Sequence, residues 1–389
     1  MSRFHSYLNS AKTILLLYNG EEPFASYLKK YFSANKKFGS KDRKQVANLC
    51  YCYFRMGKGF TDTLVEEKIL IALFLCSEAE NEILVALKPE WNEKVQLPLQ
   101  EKYSMLGVPD SIINLFPWDN ELSEGIEHEK FCKSFLIQPD LFLRIRPGYE
   151  KAVEQKLIKA GVVFKLIGDN CIALPNTTKV DEVIELNKEA VIQDQNSQRV
   201  GEMLQLVRRR PSDQLRVWDC CAASGGKSIM AKDILGDAEL MVSDVRESIL
   251  MNLESRFEAA GITDYESFVA DLSKPLQVSL SSFNLVIADV PCTGSGTWSR
   301  TPEQLFYFET KKIEEYAQLQ KNIVENVIAQ IEPGGYLLYI TCSVFKKENE
   351  EAVTFIKEKL HFQVVKMELL KGYDKKADSM FAALLQKSL

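Results

Sequence analysis

From about residue 190 onward, short apolar runs alternate with amphipathic stretches, and this alternation restricts the fold more than any other feature of the chain. The runs at 215–218, 240–243, 267–269, 285–288 and 336–340 are too short for helices and largely apolar throughout. Between them, 227–235, 247–260, 311–330 and 349–360 place apolar residues at helical spacing. Strands buried on both faces and joined by helices make a parallel sheet with helices on each side. Pro333-Gly334-Gly335 is expected to be the turn from the long helix into the last strand.

Upstream the pattern differs. Apolar positions recur at helical spacing in 7–17, 23–32, 45–54 and 61–75. Gly39-Ser40 breaks two of these stretches, with Ser40 a plausible N-cap. Trp118-Asp119-Asn120 begins a polar connection. Then 141–145, 162–166 and 171–174 read as strands around a helix at 149–160, a small α+β unit. A chain of 389 residues holds two or three domains. The divisions expected are a helical domain over 1–134, an α+β domain over 135–190 and a larger α/β domain over 191–389.

Hydrophobic content of 46% and charged content of 26% are those of a soluble globular protein. No apolar run reaches the roughly eighteen residues of a membrane span. Residues 1–12 lack the apolar core of an export signal. The nine cysteines follow no repeated spacing, so they are expected to be reduced thiols in a cytoplasm. The three histidines, His5, His128 and His361, are far apart, and no metal site is expected. The net charge of −6 does not suggest a nucleic-acid binder, but net charge hides local patches. Lys29, Lys30, Lys36, Lys37, Lys41, Arg43 and Lys44 crowd one stretch against the single acid Asp42, and Arg208, Arg209 and Arg210 form a second run. Either run is a solvated face or an electrostatic footprint.

Five segments that follow strands carry chemistry-bearing residues. Val217-Trp218-Asp219-Cys220-Cys221-Ala222-Ala223-Ser224-Gly225-Gly226-Lys227-Ser228 opens a helix with a glycine turn, which lets a ligand meet the helix N-terminus. Its tail resembles a triphosphate-binding loop, but that motif needs glycine where Cys221 stands. Asp244 ends the next strand, a place suited to ribose hydroxyls and also to a simple helix cap. Asp271 follows the third strand and has the same two readings. Asp289-Val290-Pro291-Cys292-Thr293-Gly294-Ser295-Gly296 and Thr341-Cys342-Ser343 end the fourth and fifth. Ligands of open parallel sheets bind beyond the carboxyl ends of the strands, so the five segments converge on one rim. A lone cysteine is usually buried packing. Two at strand ends on that rim point to function instead.

These segments resemble the RsmB/Sun-type family of RNA cytosine-5 methyltransferases. Cys221, Ala222, Ala223, Ser224, Gly225, Gly226 and Lys227 resemble the family's cofactor loop, with Ser224 where proline is usual. Cys292 and Cys342 stand in segments similar to its two cysteine motifs. Gln320, Pro333-Gly334-Gly335 and Glu348-Asn349-Glu350 keep the family's order. Ile249 replaces a common arginine and Thr293 a common serine. Gly39-Ser40-Lys41-Asp42-Arg43 followed by Tyr51 resembles a NusB-like RNA-binding domain. Gln138-Pro139, Arg144-Ile145-Arg146-Pro147-Gly148 and 193–198 resemble the segments leading into the catalytic domain.

The resemblance implies a Rossmann-like class I methyltransferase domain, an all-α NusB-like domain before it and a small α+β linker. It implies S-adenosylmethionine in the loop 221–227, with Asp244 on its ribose and Asp271 near its adenine. Cys342 would add to cytosine C6, Asp289 would hydrogen-bond N3, and Cys292 would assist release. The partner expected is ribosomal RNA of the small subunit (16S), bound in part through Lys36, Lys37, Lys41, Arg43 and Lys44, by a monomeric enzyme of rRNA processing. Transfer RNA as substrate, a DNA cytosine-5 methyltransferase, a protein or metabolite methyltransferase, and an inactive RNA-binding scaffold remain the alternatives. Retention of both cysteines weighs against the scaffold.

Overall fold

The computed structural model describes residues 3–107, 114–208, 214–276 and 280–389. Arg209 and Arg210 of the second basic run lie outside the described residues. The chain divides into two compact units. The first comprises Met1–Asn120, Glu127–Gln138 and Trp298–Glu309, and the second Glu121–Ile126, Pro139–Thr297 and Thr310–Leu389.

The first unit is helical. Its helices are α1 (Arg3–Leu17), α2 (Phe24–Ala34), α3 (Ser40–Arg55), α4 (Val65–Cys76), α5 (Glu82–Leu87), α6 (Pro89–Asn92), α7 (Leu99–Met105) and α8 (His128–Ser134). The N-cap of α3 is Gly39, not Ser40. Asp42 decides this by reaching back to accept the Gly39 N–H at 2.9 Å. Phe24, Phe54 and Phe74 are fully buried between α1 and α4. Phe116, Phe131, Phe135 and Trp298 make a second aromatic cluster, in which Phe116 and Phe131 meet edge to face at 5.2 Å. Trp298 thus packs with helices that lie far from it in sequence.

The second unit carries two sheets. One has the order β2-β3-β1-β4, from β1 (Leu141–Ile145), β2 (Lys165–Ile167), β3 (Cys171–Leu174) and β4 (Ala190–Ile192), with α9 (Glu150–Lys159) against it. The other begins after α10 (Gln195–Arg199) and α11 (Gly201–Leu204). Its elements are β5 (Arg216–Asp219), α12 (Gly226–Leu235), β6 (Glu239–Asp244), α13 (Glu247–Ala260), β7 (Glu266–Val269) and β8 (Phe283–Asp289). Then come α14 (Pro302–Tyr307, in the first unit), α15 (Lys311–Val327), β9 (Ile331–Thr341), α16 (Glu350–Lys359), β10 (Phe362–Leu370) and β11 (Met380–Lys387).

This seven-stranded sheet has the order β10-β11-β9-β8-β5-β6-β7. Strands β5 to β9 pair in parallel, as the apolar runs predict. Two further strands that the apolar runs did not indicate extend the sheet, with β11 antiparallel to both β9 and β10. Pro333-Gly334-Gly335 is also not the turn before the last parallel strand. It is an irregularity inside β9, where the pairing jumps from Phe283↔Ile331 to Leu285↔Tyr336 and Gly334 takes φ +78°. Among the described residues no helix is long and apolar enough to cross a membrane.

Alternation along each strand explains the runs. Val217, Leu285, Ile287, Leu338 and Ile340 face α12 and α13, where Ile229, Leu253 and Phe257 pack on them. Trp218, Val286, Ala288, Leu337 and Tyr339 face α15 and α16, against Ile323, Val327, Val353 and Ile356. The smaller sheet is tied in by charge. Arg144 on β1 donates to Asp233 on α12 at 2.6 Å, and Arg146 donates to the same carboxylate at 2.9 Å. The Arg144 and Asp233 side chains are only 5% and 6% exposed.

Removing the acid from such a site strands a buried guanidinium. Asp233→Ala is therefore expected to destabilise the chain by about 3–5 kcal/mol. Urea unfolding measures this, and a loss below about 1 kcal/mol, the worth of a surface pair, would show that water reaches the arginines.

Candidate active site

The carboxyl ends of β5, β6, β8 and β9 and the loop after β7 line one cavity of about 540 Å³. Cys221, Asp244, Asp271, Asp289, Cys292 and Cys342 all reach it. The structure thus brings together residues that the sequence spreads over more than a hundred positions.

The glycine turn shapes one wall. Gly225 has φ +80° and caps α12, and a Cβ there would lie 2.6 Å from the Phe257 ring. Ala223 is also left-handed, at φ +45°. Ser224 is held by Arg256, which donates one Nη1 to the Ser224 carbonyl at 2.8 Å and to its hydroxyl at 2.7 Å. Arg256 was not singled out in the sequence, because nothing local marks it as the partner of a loop thirty residues earlier.

Asp244 is nearly buried and accepts three kinds of hydrogen bond. The Ala223 N–H donates to it at 3.1 Å, the Arg246 N–H at 3.0 Å and the Arg246 guanidinium at 3.0 Å. It therefore fixes the glycine turn and caps the approach to α13 while facing the cavity. Asp271 lies in the turn after β7, and among the described residues no helix follows for it to cap. Lys274 and Ser273 engage its carboxylate and hold it down to about 2. It still forms part of the cavity wall.

Lys227, at the start of α12, donates to Asp289 at 3.0 Å and to Ser197 at 2.8 Å. Beneath them Asp219 is fully buried. Burial pushes its carboxyl up to about 7, opposed by the Ser228 hydroxyl that donates to it at 2.6 Å. Its other oxygen has no partner in the protein.

The two cysteines approach each other because β8 and β9 are parallel neighbours, with Asp289 opposite Ile340. Cys292 Sγ and Cys342 Sγ are 3.2 Å apart. The Cys342 sulfur, and then burial, push the Cys292 thiol well above its ordinary range. At this separation either sulfur can be the donor to the other.

A buried carboxylate holds both loops. Glu348 accepts the Thr293 N–H at 2.9 Å, the Thr293 hydroxyl at 2.6 Å, Gln320 Nε2 at 2.9 Å and the Ser343 hydroxyl. Gln320 also donates to the Pro291 carbonyl at 3.0 Å. Asn349 donates to the Ser343 carbonyl at 2.9 Å. The Gly296 N–H donates to the Cys342 carbonyl at 2.9 Å, and a Cβ on Gly296 would lie 1.9 Å from the Ser379 carbonyl oxygen. Gln320 and Glu348 were visible in the sequence only as residues in family order; their hydrogen bonds to Thr293 and Ser343 join segments too distant for a motif to show.

The basic residues lie in the helical unit. Lys36, Lys37, Lys41, Arg43 and Lys44 are exposed, on α3 or just before it. Lys41 pairs with Glu82 at 3.2 Å, and Arg43 donates to the Phe38 carbonyl at 2.9 Å.

Residues 205–385 match the family model described as 16S rRNA methyltransferase RsmB/F. A protein of Synechocystis sp., "Probable ribosomal RNA small subunit methyltransferase B", is 27% identical over 270 residues, 67% of this chain and 58% of its own length. A Homo sapiens protein, "28S rRNA (cytosine(4447)-C(5))-methyltransferase", is 29% identical over 173 residues, 43% of this chain and 21% of its own length. The chain thus spans little more than half the length of the first of these relatives, and less of the second. Among solved structures, PH0851 superposes with a TM-score of 0.69 at 17% identity, covering 99% of this chain and 98% of that one. NSun6 from Pyrococcus horikoshii, solved with SFG, gives 0.57 at 15% identity over 67% of this chain and 94% of that one. At these identities the two structures speak for the fold alone.

Asp219 makes stability depend on pH with a definite sign. Its native carboxyl titrates near 7 and an unfolded one near 4, so the native state holds the proton more tightly. The stability it contributes is fully present below about pH 4 and is lost as pH rises toward 7. Asp219→Asn should flatten that fall in the urea midpoint. An unchanged pH slope would mean that the native carboxyl titrates in its ordinary range.

Proposed function

We propose, from the match of residues 205–385 to the RsmB/F methyltransferase family model, that this chain methylates C5 of a cytosine in RNA, making 5-methylcytosine in small-subunit ribosomal RNA. The observation that carries this reading is the pair of sulfurs 3.2 Å apart on the wall of a cavity shared with the glycine turn and Asp244.

The cavity suits S-adenosylmethionine. Asp244 presents a carboxylate for ribose hydroxyls, and Ala270, Leu272, Leu319 and Ile323 offer apolar wall for a flat base. The turn 221–227 leaves open space beside Gly226, where an added Cβ would meet nothing within 4 Å. When bound, S-adenosylmethionine supplies an electrophilic methyl group for C5.

The protein's own residues account for the remaining steps. Cytosine C5 is too weak a nucleophile unaided. Cys342, as thiolate, adds to C6 and its bond pushes an electron pair toward C5. Asp289, oriented by Lys227, hydrogen-bonds N3 and stabilises the charge that develops. After C5 takes the methyl group, its proton passes to a water molecule in the open cleft, the C–H electron pair re-forms the C5–C6 double bond and the Cys342 sulfur departs as thiolate with the C6–S pair. Cys292 assists that departure, its sulfur lying 3.2 Å from the leaving one. A paired base is extruded before it reaches such a site. The helical unit is read as the NusB-like RNA-binding part, with Lys36, Lys37, Lys41, Arg43 and Lys44 on phosphates. The three-part division at 134 and 190 belongs to the same reading.

The two cysteines separate this mechanism from its rivals. With tritiated donor and ribosomal RNA, Cys342→Ala is expected to abolish turnover and form no adduct. Cys292→Ala is expected to accumulate a protein–RNA adduct that survives denaturing electrophoresis. The opposite pattern would move the nucleophile to Cys292, and activity in both variants would refute a covalent route. Transfer to DNA, transfer RNA or protein instead would reassign the substrate. Bisulfite sequencing of ribosomal RNA from a deletion strain locates the cytidine.

Asp244→Ala tests the cofactor assignment. It strands the Ala223 and Arg246 N–H groups and removes the ribose acceptor, so S-adenosylmethionine affinity should fall by about 1.5–3 kcal/mol. Unchanged calorimetric affinity would remove Asp244 from the site.

A further inference from the structure

The carboxylate that a ribose would use is already full. Asp244 Oδ1 accepts the Arg246 N–H at 3.0 Å and Arg246 Nε at 3.0 Å, and Oδ2 accepts the Ala223 N–H at 3.1 Å and Arg246 Nη2 at 3.3 Å. A carboxylate offers about four lone-pair sites, and these donors occupy all of them. A ribose that engages Asp244 must therefore displace at least one donor.

The donors are not equal. The Ala223 N–H holds the glycine turn, in which Ala223 takes φ +45°. The Arg246 N–H closes a turn onto the Asp244 side chain at the entrance to α13. Losing either would distort the cavity wall. The guanidinium is different. The Arg246 side chain is 57% exposed, whereas the Asp244 side chain it pairs with is 7% exposed. An ion pair with a well-solvated partner is worth little, and a long arginine can turn into water without moving its backbone. Arg246 also lines the same cavity as Cys221, Ala223 and Asp244.

The form of the contact shows what it imitates. Nε and Nη2 are adjacent donors on one edge of a planar fork, and each reaches one carboxylate oxygen. The two neighbouring hydroxyls of a ribose are adjacent donors as well, and they can engage the same two oxygens. The other acids on the cavity wall have no such fork. Asp289 pairs with the single ammonium of Lys227, which is 10% exposed, and Asp271 with the single ammonium of Lys274.

We propose that the Arg246 guanidinium is a displaceable cover on the ribose site, and that the 2′- and 3′-hydroxyls of S-adenosylmethionine take its place on Asp244. The proposal rests on the cofactor reading of the cleft. Arg246 keeps a nearly buried carboxylate paired before the ribose arrives. It then lowers cofactor affinity, because the ribose must break that pair. On release of the demethylated product the guanidinium returns to Asp244, which favours exchange for a fresh donor.

Calorimetry of the full chain with S-adenosylhomocysteine tests this. That ligand carries the ribose without the sulfonium charge, so loss of the arginine acts on it chiefly through Asp244. Arg246→Met removes the fork and keeps the backbone N–H. It should bind the ligand about threefold to fivefold more tightly than the parent, the worth of a half-exposed ion pair. Added salt weakens such a pair, so it should tighten binding to the parent and leave the Arg246→Met value unchanged. The 2′,3′-dideoxy form of the ligand has no hydroxyls to compete, and parent and variant should bind it alike. Equal or weaker binding of S-adenosylhomocysteine to Arg246→Met would overturn the proposal. So would an equal gain for the dideoxy form, which would assign the effect to charge alone. Binding that falls in Asp244→Ala but does not rise in Arg246→Met sinks the cover and leaves the cofactor reading standing. No binding to parent or variant sinks both.

Discussion

Glu348 is wholly buried, and both of its carboxylate oxygens are occupied by donors from three separate segments. Taking a carboxylate out of water costs several kcal/mol unless donors replace the water. Here Thr293, Gln320 and Ser343 replace it, and burial still leaves the group shifted upward. The arrangement is all or nothing. Thr293 follows one cysteine and Ser343 follows the other, so a single buried side chain ties together the two segments that carry the sulfurs. Gln320 adds the Pro291 carbonyl to the same knot, and Tyr339 Oη donates to the Glu348 carbonyl at 2.7 Å from the sheet below.

A second network runs the other way, from the cleft toward the smaller sheet. Asp289 holds Lys227, Lys227 holds Ser197, Gln193 donates to Ser197, and Arg144 donates to Gln193. Asp233 then gathers Arg144 and Arg146 from β1 and the residue after it. The smaller sheet is thereby fixed to the start and end of α12, the helix that the glycine turn opens. Its role in the fold is to hold that helix from behind.

Much of the second unit was legible in advance because its parallel strands are buried on both faces and so read as apolar runs. Helix α13 begins and ends at the residues its spacing indicated. Strands β10 and β11 were not legible. Met380–Lys387 is rich in alanine and leucine, which favour helices on their own. Pairing with β9 on one side and β10 on the other overrides that preference. Strand β4 is three residues long, too short for any periodicity, and exists because β1 offers it an edge. The place of Trp298 in an aromatic cluster with Phe116 and Phe131 had no local signal either.

The sequence by itself determined which residues can reach the active rim. An apolar strand that ends in Asp-Val-Pro-Cys, or in Thr-Cys-Ser, must deliver that ending to the carboxyl edge of the sheet, because the direction of a parallel strand is fixed by its connections. It likewise determined the glycine turn, since only residues tolerant of positive φ pass through it. Tertiary structure decided everything that depends on two distant segments meeting. The 3.2 Å between the sulfurs, the upward shift of the Cys292 thiol, the rise of the buried Asp219 carboxyl, and the capture of Ser224 by Arg256 are of this kind. Each is set by the distance and burial of a partner remote in the chain, and a linear pattern carries neither quantity.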